Sequence, residues 1–272
     1  MYCINPSTIL INSSFEWGVL MACKLSEQDF EVLKEPLKSG RQAPGSIAGA
    51  LFLTIFLQGI LFSLEYFFVG VNTTYPYKDE ILSVHLWITG VLILFSLLYS
   101  IPAIYKRSDK MQYFISILVS QNLFSFSFLI CALFLIGNDD GSGTKESSES
   151  LLNFTYVTLG IGLLVFVLTF IRFYILLQRG EYRKGSKKEE LRGRFEVKSY
   201  IPVATVAGTG LVFVIQYIVR LSTLNDLNMV IFIVIGIGLF FTMVFVLPEQ
   251  LVILYCKIRF QSFNFNERGY LK

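Results

Sequence analysis

Six runs of this sequence are each long and apolar enough to cross a lipid bilayer, and nothing else constrains the fold as much. They cover roughly 46–70, 81–104, 112–136, 151–177, 200–222 and 229–256. About twenty apolar residues reach across the hydrocarbon core. Lipid offers no partner for backbone N–H and C=O groups, so each run has to satisfy its own, which only a helix does. The runs are continuous rather than strictly alternating, and that excludes a transmembrane β-barrel. Composition agrees, since 54% of residues are hydrophobic and only 16% are charged, well under the roughly 25% of soluble domains. The expected fold is an all-α integral membrane protein, a six-transmembrane-helix bundle over residues 46–257.

The charges between the runs set the expected orientation. The segment before the first run has Lys34, Lys38 and Arg41, and the next connection only Lys78. Lys106, Arg107 and Lys110 follow, then Lys145 alone. The loop 178–199 is densely cationic, with Arg179, Arg183, Lys184, Lys187, Lys188, Arg192, Arg194 and Lys198. The sixth connection has only Arg220 at its edge, and the tail 258–272 has Arg259, Arg268 and Lys272 after Lys257. Lysine and arginine thus fill every second connection, which is the positive-inside pattern. Both ends are expected in the cytosol.

Residues 1–45 form an N-terminal segment outside the bundle. Its first twenty residues lack the basic region and cleavage site of a signal peptide. Trp17-Gly18-Val19 can be encoded by a purine-rich run like a bacterial ribosome-binding site, just before Met21. Translation is therefore expected to begin at Met21, in a bacterial plasma-membrane protein. Further on, Ser26 and Asp29 predict a capped short helix with Phe30, Leu33 and Leu37 on one narrow face. Pro36 is expected to end it. A surface helix along the membrane or along the base of the domain fits that face. The aromatic and cationic tail reads as an interfacial anchor.

Polar residues inside the runs fall into stripes. His85, Thr89, Ser96 and Ser100 are spaced by four and seven, as are Thr205, Thr209, Gln216 and Arg220. Thr54, Gln58 and Glu65 follow the same rule, and so do Gly238, Thr242 and Glu249. Thr158, Gly162 and Thr169 form another stripe, with Arg172 beyond it. Such steps keep residues on one helical face. Gln121 and Asn122 lie near mid-membrane. One reading makes the stripes packing seams joined by interhelical hydrogen bonds. The other makes them a polar path for an ion or solute.

Charged groups within a membrane pair with one another or line cavities. Counting from the helix ends places Glu65, His85 and Arg220 in the outer third, and Arg172 and Glu249 in the inner third. A Glu65–Arg220 contact with His85 nearby, and an Arg172–Glu249 contact, are the expected pairings. Snorkelling of either arginine to headgroups is the rival. Pro248 removes a helix hydrogen bond and is expected to free a carbonyl near Met243 or Val244.

Much chemistry is excluded. The one histidine rules out HExxH zinc sites and bis-histidine haem. It also disqualifies the EExxxR match at Glu189–Arg194, because that class of intramembrane protease needs histidines in its helices. There is no GxxxxGK[ST] loop and no GxSxG elbow. The GxG triplets at Gly160, Gly208 and Gly236 lie inside apolar helices and read as packing. Cys3, Cys23, Cys131 and Cys256 have no CxxC spacing and read as free thiols. No cofactor and no metal are implied. The cationic loop can attract anionic lipid, and it lacks the aromatic platform a nucleic-acid site would use. Two functions follow as expectations. One is a non-enzymatic protein acting through protein–protein interaction, of the accessory, assembly or toxin-immunity type. The alternative is a small secondary transporter or channel.

Overall fold

The computed structural model describes residues 25–138, 147–190, 225–266 and 269–272. It is 81% helical, and no strand occurs among the described residues. Five helices among the described residues are long and apolar enough to span a membrane: α1, Pro44–Val69; α2, Lys78–Ser100; α3, Asp109–Ile136; α4, Ser148–Gln178; and α5, Asn225–Arg259, apolar from Met229 onward. The run 200–222, residues 1–24 with the Met21 start, and the loop beyond Glu190 lie outside the described residues.

Local signals set the helix ends. Pro44 stands in the first turn of α1 after an extended Ala43, where its missing N–H is no loss. Asp79 and Glu80 sit in the first turn of α2, complementing its dipole. That helix stops at Ser100, earlier than the run ending at 104, because Ile101 precedes Pro102 and is extended; proline disfavours helical geometry in the residue before it. Ser147 caps α4 through Oγ, which accepts from the Ser150 amide at 3.1 Å.

In the bundle α1 packs on α2 and α3, and α5 lies between α3 and α4. The central helix is α3: 61% of its most apolar window is buried, against 11% for α4 and for α5. Close approach of α5 to α3 depends on Gly236, where a Cβ would come within 2.7 Å of the Phe128 carbonyl oxygen. Against α4 the same role falls to Gly162, whose Cβ would lie 2.8 Å from the Phe240 ring. Their GxG neighbours Gly160 and Gly238 face open space. Gln112, fully buried, donates to the carbonyls of Pro44 and Tyr99, each at 3.0 Å. It thereby fastens the start of α1 and the end of α2 to α3.

One end of the bundle, the base, is closed by both chain termini. Residues Glu27–Lys34 form a 3-10 helix, and a single α-turn, Glu35–Lys38, follows. Pro36 lies at the beginning of that turn rather than ending the helix, since the first turn needs no amide proton there. Phe30, Leu33 and Leu37 are buried, and the segment lies along the base of the bundle with that face turned inward. Phe30 packs on the Tyr255 and Phe260 rings, and the Val32 amide donates to the Tyr182 carbonyl at 3.0 Å.

The tail also turns inward. Phe263 is wholly buried, and Phe265 pairs with Leu271 in an isolated antiparallel bridge. Lys257, 1% exposed, donates to the Phe263 carbonyl at 3.2 Å and lies 3.5 Å from Asp109. Of the aromatics that read as a membrane anchor, Phe263 and Phe265 pack inside this cap, while Tyr270 is exposed. At the opposite end Thr73 bridges Asn138, and Thr74 donates its amide to the Gly137 carbonyl at 2.7 Å.

Candidate functional site

The polar residues of α1, α2 and α3 meet inside the bundle. Gln58 is 2% exposed, Glu65 0%, His85 4% and Asn122 3%. Glu65 Oε1 lies 2.9 Å from His85 Nδ1. The other ring nitrogen, Nε2, lies 3.2 Å from Asn122 Oδ1 and 3.3 Å from Ser127 Oγ. Asn122 Nδ2 donates to Thr89 Oγ1 at 3.1 Å and to Gln58 Oε1 at 3.4 Å. Gln58 Nε2 donates back to the Thr54 carbonyl at 3.2 Å. Three helices are thus joined by one chain of hydrogen bonds, and Glu65 Oε2 stays buried without a partner.

Two π turns place these groups. Residues Glu65–Val69 and Asn122–Phe126 each close a wider turn, in which the carbonyls of Glu65 and Asn122 accept the amides of Gly70 and Ser127 five residues on. Both turns begin at a member of the network. A π turn inserts an extra residue and shifts the helical face, which brings Ser127 round beside His85. The even spacing of a sequence stripe gives no hint of this, so Ser127 is absent from the sequence expectations.

Gln121 points away from the network and donates to the Met243 carbonyl of α5 at 3.2 Å. That carbonyl lies in the turn preceding Pro248. Its neighbour Val244 loses its normal partner because proline has no N–H.

The remaining sequence candidates fall elsewhere. Arg220 lies outside the described residues. Arg172 is exposed, and it lines a cavity of about 420 Å³ between α4 and α5 together with Glu249, Lys188 and Tyr182. A second cavity, about 500 Å³, opens between α2 and α3. Its floor is His85, Gln121 and Asn122, its walls are Val84, Ile88, Leu118, Phe126 and Ile130, and Glu80 stands at its rim. Among the described residues no group of three His, Cys, Asp or Glu is placed to hold a metal.

Two carboxylates at the base are electrostatically tuned. A hydrogen bond from Ser262, then one from Lys34, holds the Glu27 carboxyl below its ordinary range. Burial alone would push Asp29 up, but hydrogen bonds from Arg183 and Ser26 outweigh it, and the net direction is down.

Five helices among the described residues are long and apolar enough to span a membrane, three of them joined by the internal polar network, and this is consistent with a multi-pass membrane protein. Comparison with protein-family models, with curated proteins and with solved structures finds no match.

Proposed function

We propose that this is a six-span protein of a bacterial plasma membrane, with both termini cytosolic, that works non-enzymatically by binding another membrane protein. The end of α4 and the end of α5 both pack on the N-terminal segment at the base, through Tyr182 and Tyr255. Glu190 therefore lies near the base, while α5 begins at the far end. The apolar run 200–222 is long enough for the return crossing, which supports a sixth span. The lysine-rich connections share the base, which the positive-inside rule assigns to the cytosol. Anionic lipid at the cationic loop adds about 1 kcal/mol per nearby cation.

One observation favours binding over transport. The groove between α2 and α3 reaches Gln121, Asn122 and His85, yet its walls are apolar. A hydrated solute gains nothing from such walls, whereas an apolar helix of a partner buries against them. A photoreactive side chain at Ile88 tests the idea in intact cells. The expected result is one protein adduct of defined mass that is absent when the probe is at Phe232 on α5. Adducts to lipid alone from both positions would refute it.

The transporter reading is favoured by the unpartnered Glu65 Oε2. It requires proton or ion flux through proteoliposomes above the protein-free rate, lost in Glu65→Gln.

A further inference from the structure

The hydrogen bonds around His85 fix where its protons lie. An amide group is ambiguous only until one neighbour can act solely as donor or solely as acceptor. The Thr54 carbonyl is such a neighbour, because it can only accept. Gln58 must therefore turn its NH₂ to Thr54, at 3.2 Å, and its oxygen to Asn122. Asn122 in turn gives its NH₂ to Gln58 and Thr89 and its oxygen to His85 Nε2. An acceptor facing Nε2 requires a proton on Nε2.

Ser127 reaches the same answer independently. Its hydroxyl proton is engaged by the Asn122 carbonyl at 3.0 Å, so the oxygen offers His85 Nε2 a lone pair at 3.3 Å.

With Nε2 protonated, the opposite nitrogen faces Glu65 Oε1 at 2.9 Å. A carboxylate facing a bare Nδ1 would set two lone pairs against each other, so one proton must lie between them. It belongs either to Oε1, giving a neutral acid and a neutral ring, or to Nδ1, giving a carboxylate and an imidazolium. In both cases the pair is neutral overall, as a site with 0% and 4% exposure demands.

We propose that Glu65 and His85 form a membrane-embedded proton-binding site that holds one proton between Oε1 and Nδ1. The unpartnered Glu65 Oε2 is where a second proton adds without breaking that bond. His85 also lines the groove between α2 and α3, which gives the ring a face for exchange. The titratable groups facing the pair among the described residues are Cys131 on α3, within electrostatic reach of Glu65, and Glu80 at the groove rim. The inference stands apart from the identity of any partner in the groove.

The single histidine makes the test unambiguous. Nitrogen-15 histidine and carbon-13 glutamate NMR of the full chain in lipid vesicles at pH 7 reads each proton. The expected result is a protonated Nε2, and one proton in total shared between Nδ1 and the Glu65 carboxyl. A bare Nε2, or either no proton or two on the pair, would overturn the proposal. Glu65→Gln should lose the shared proton, leaving a neutral ring with bare Nδ1. An imidazolium in that variant would also overturn it. Should the variant fail to fold, the measurement on the unaltered chain decides alone.

Discussion

Arg183 donates from Nε to Asp29 Oδ1 at 2.6 Å, joining the segment before α1 to the turn after α4 across 154 positions. Asp29 is 4% exposed at this contact and Arg183 61%. The same carboxylate accepts the Ser26 amide at 2.7 Å and so caps the 3-10 helix. One buried oxygen-rich group thus serves both local and long-range structure.

Because the arginine is mostly in water, its pair contributes no more than about 1 kcal/mol. The cap contributes on the order of 0.5–2 kcal/mol. Asp29→Ala should therefore loosen the base more than Arg183→Ala. The rate of limited proteolysis between residues 25 and 43 ranks the two variants.

Acid should open the same cap. The folded carboxyls of Asp29 and Glu27 titrate below their ordinary values, near 3.9 and 4.3. Their contribution is complete above those values and fades as pH falls through the folded ones. Protection of the Val32 amide from hydrogen exchange, constant at neutral pH after correction for intrinsic rates, should drop below about pH 4.

Gly236 has no room for a methyl group, since the obstacle is backbone oxygen at 2.7 Å. Gly236→Ala should separate α3 from α5 and cost about 1–3 kcal/mol. Gly238→Ala, in open space, should be near neutral. Thermal unfolding in detergent compares them, and equal midpoints would contradict the packing described.

Asn122 touches His85, Gln58 and Thr89. Asn122→Leu leaves buried donors and acceptors unmatched, at about 1–3 kcal/mol. Thr89→Val removes a single interhelical bond, worth roughly 0.6 kcal/mol. The same unfolding assay should show the larger drop for Asn122→Leu.

The orientation is open to labelling. Cysteines introduced at Lys145 and Lys187, in a chain freed of its native thiols, should react with an impermeant reagent from opposite faces of the cell. Reaction of both from one face would remove the basis for placing the base in the cytosol.

Apolar length alone was enough to locate the five described helices, because lipid leaves the backbone no alternative, and α1, α2, α3, α4 and α5 begin and end within a few residues of their apolar runs. Spacing also put Gln58 and Glu65 on one helical face and His85 and Thr89 on another, while Asn122 was expected only near mid-membrane. Depth matched Glu65 with Arg220, which lies outside the described residues, and placed His85 nearby; His85 Nδ1 lies 2.9 Å from Glu65 Oε1. Depth counted along separate helices says which residues share a level, and only packing says which of them touch. The π turns at Glu65 and Asn122, the inward fold of the tail and the burial of Phe30 were tertiary decisions for the same reason. Each depends on surfaces supplied by parts of the chain far away in sequence, and no local pattern encodes them.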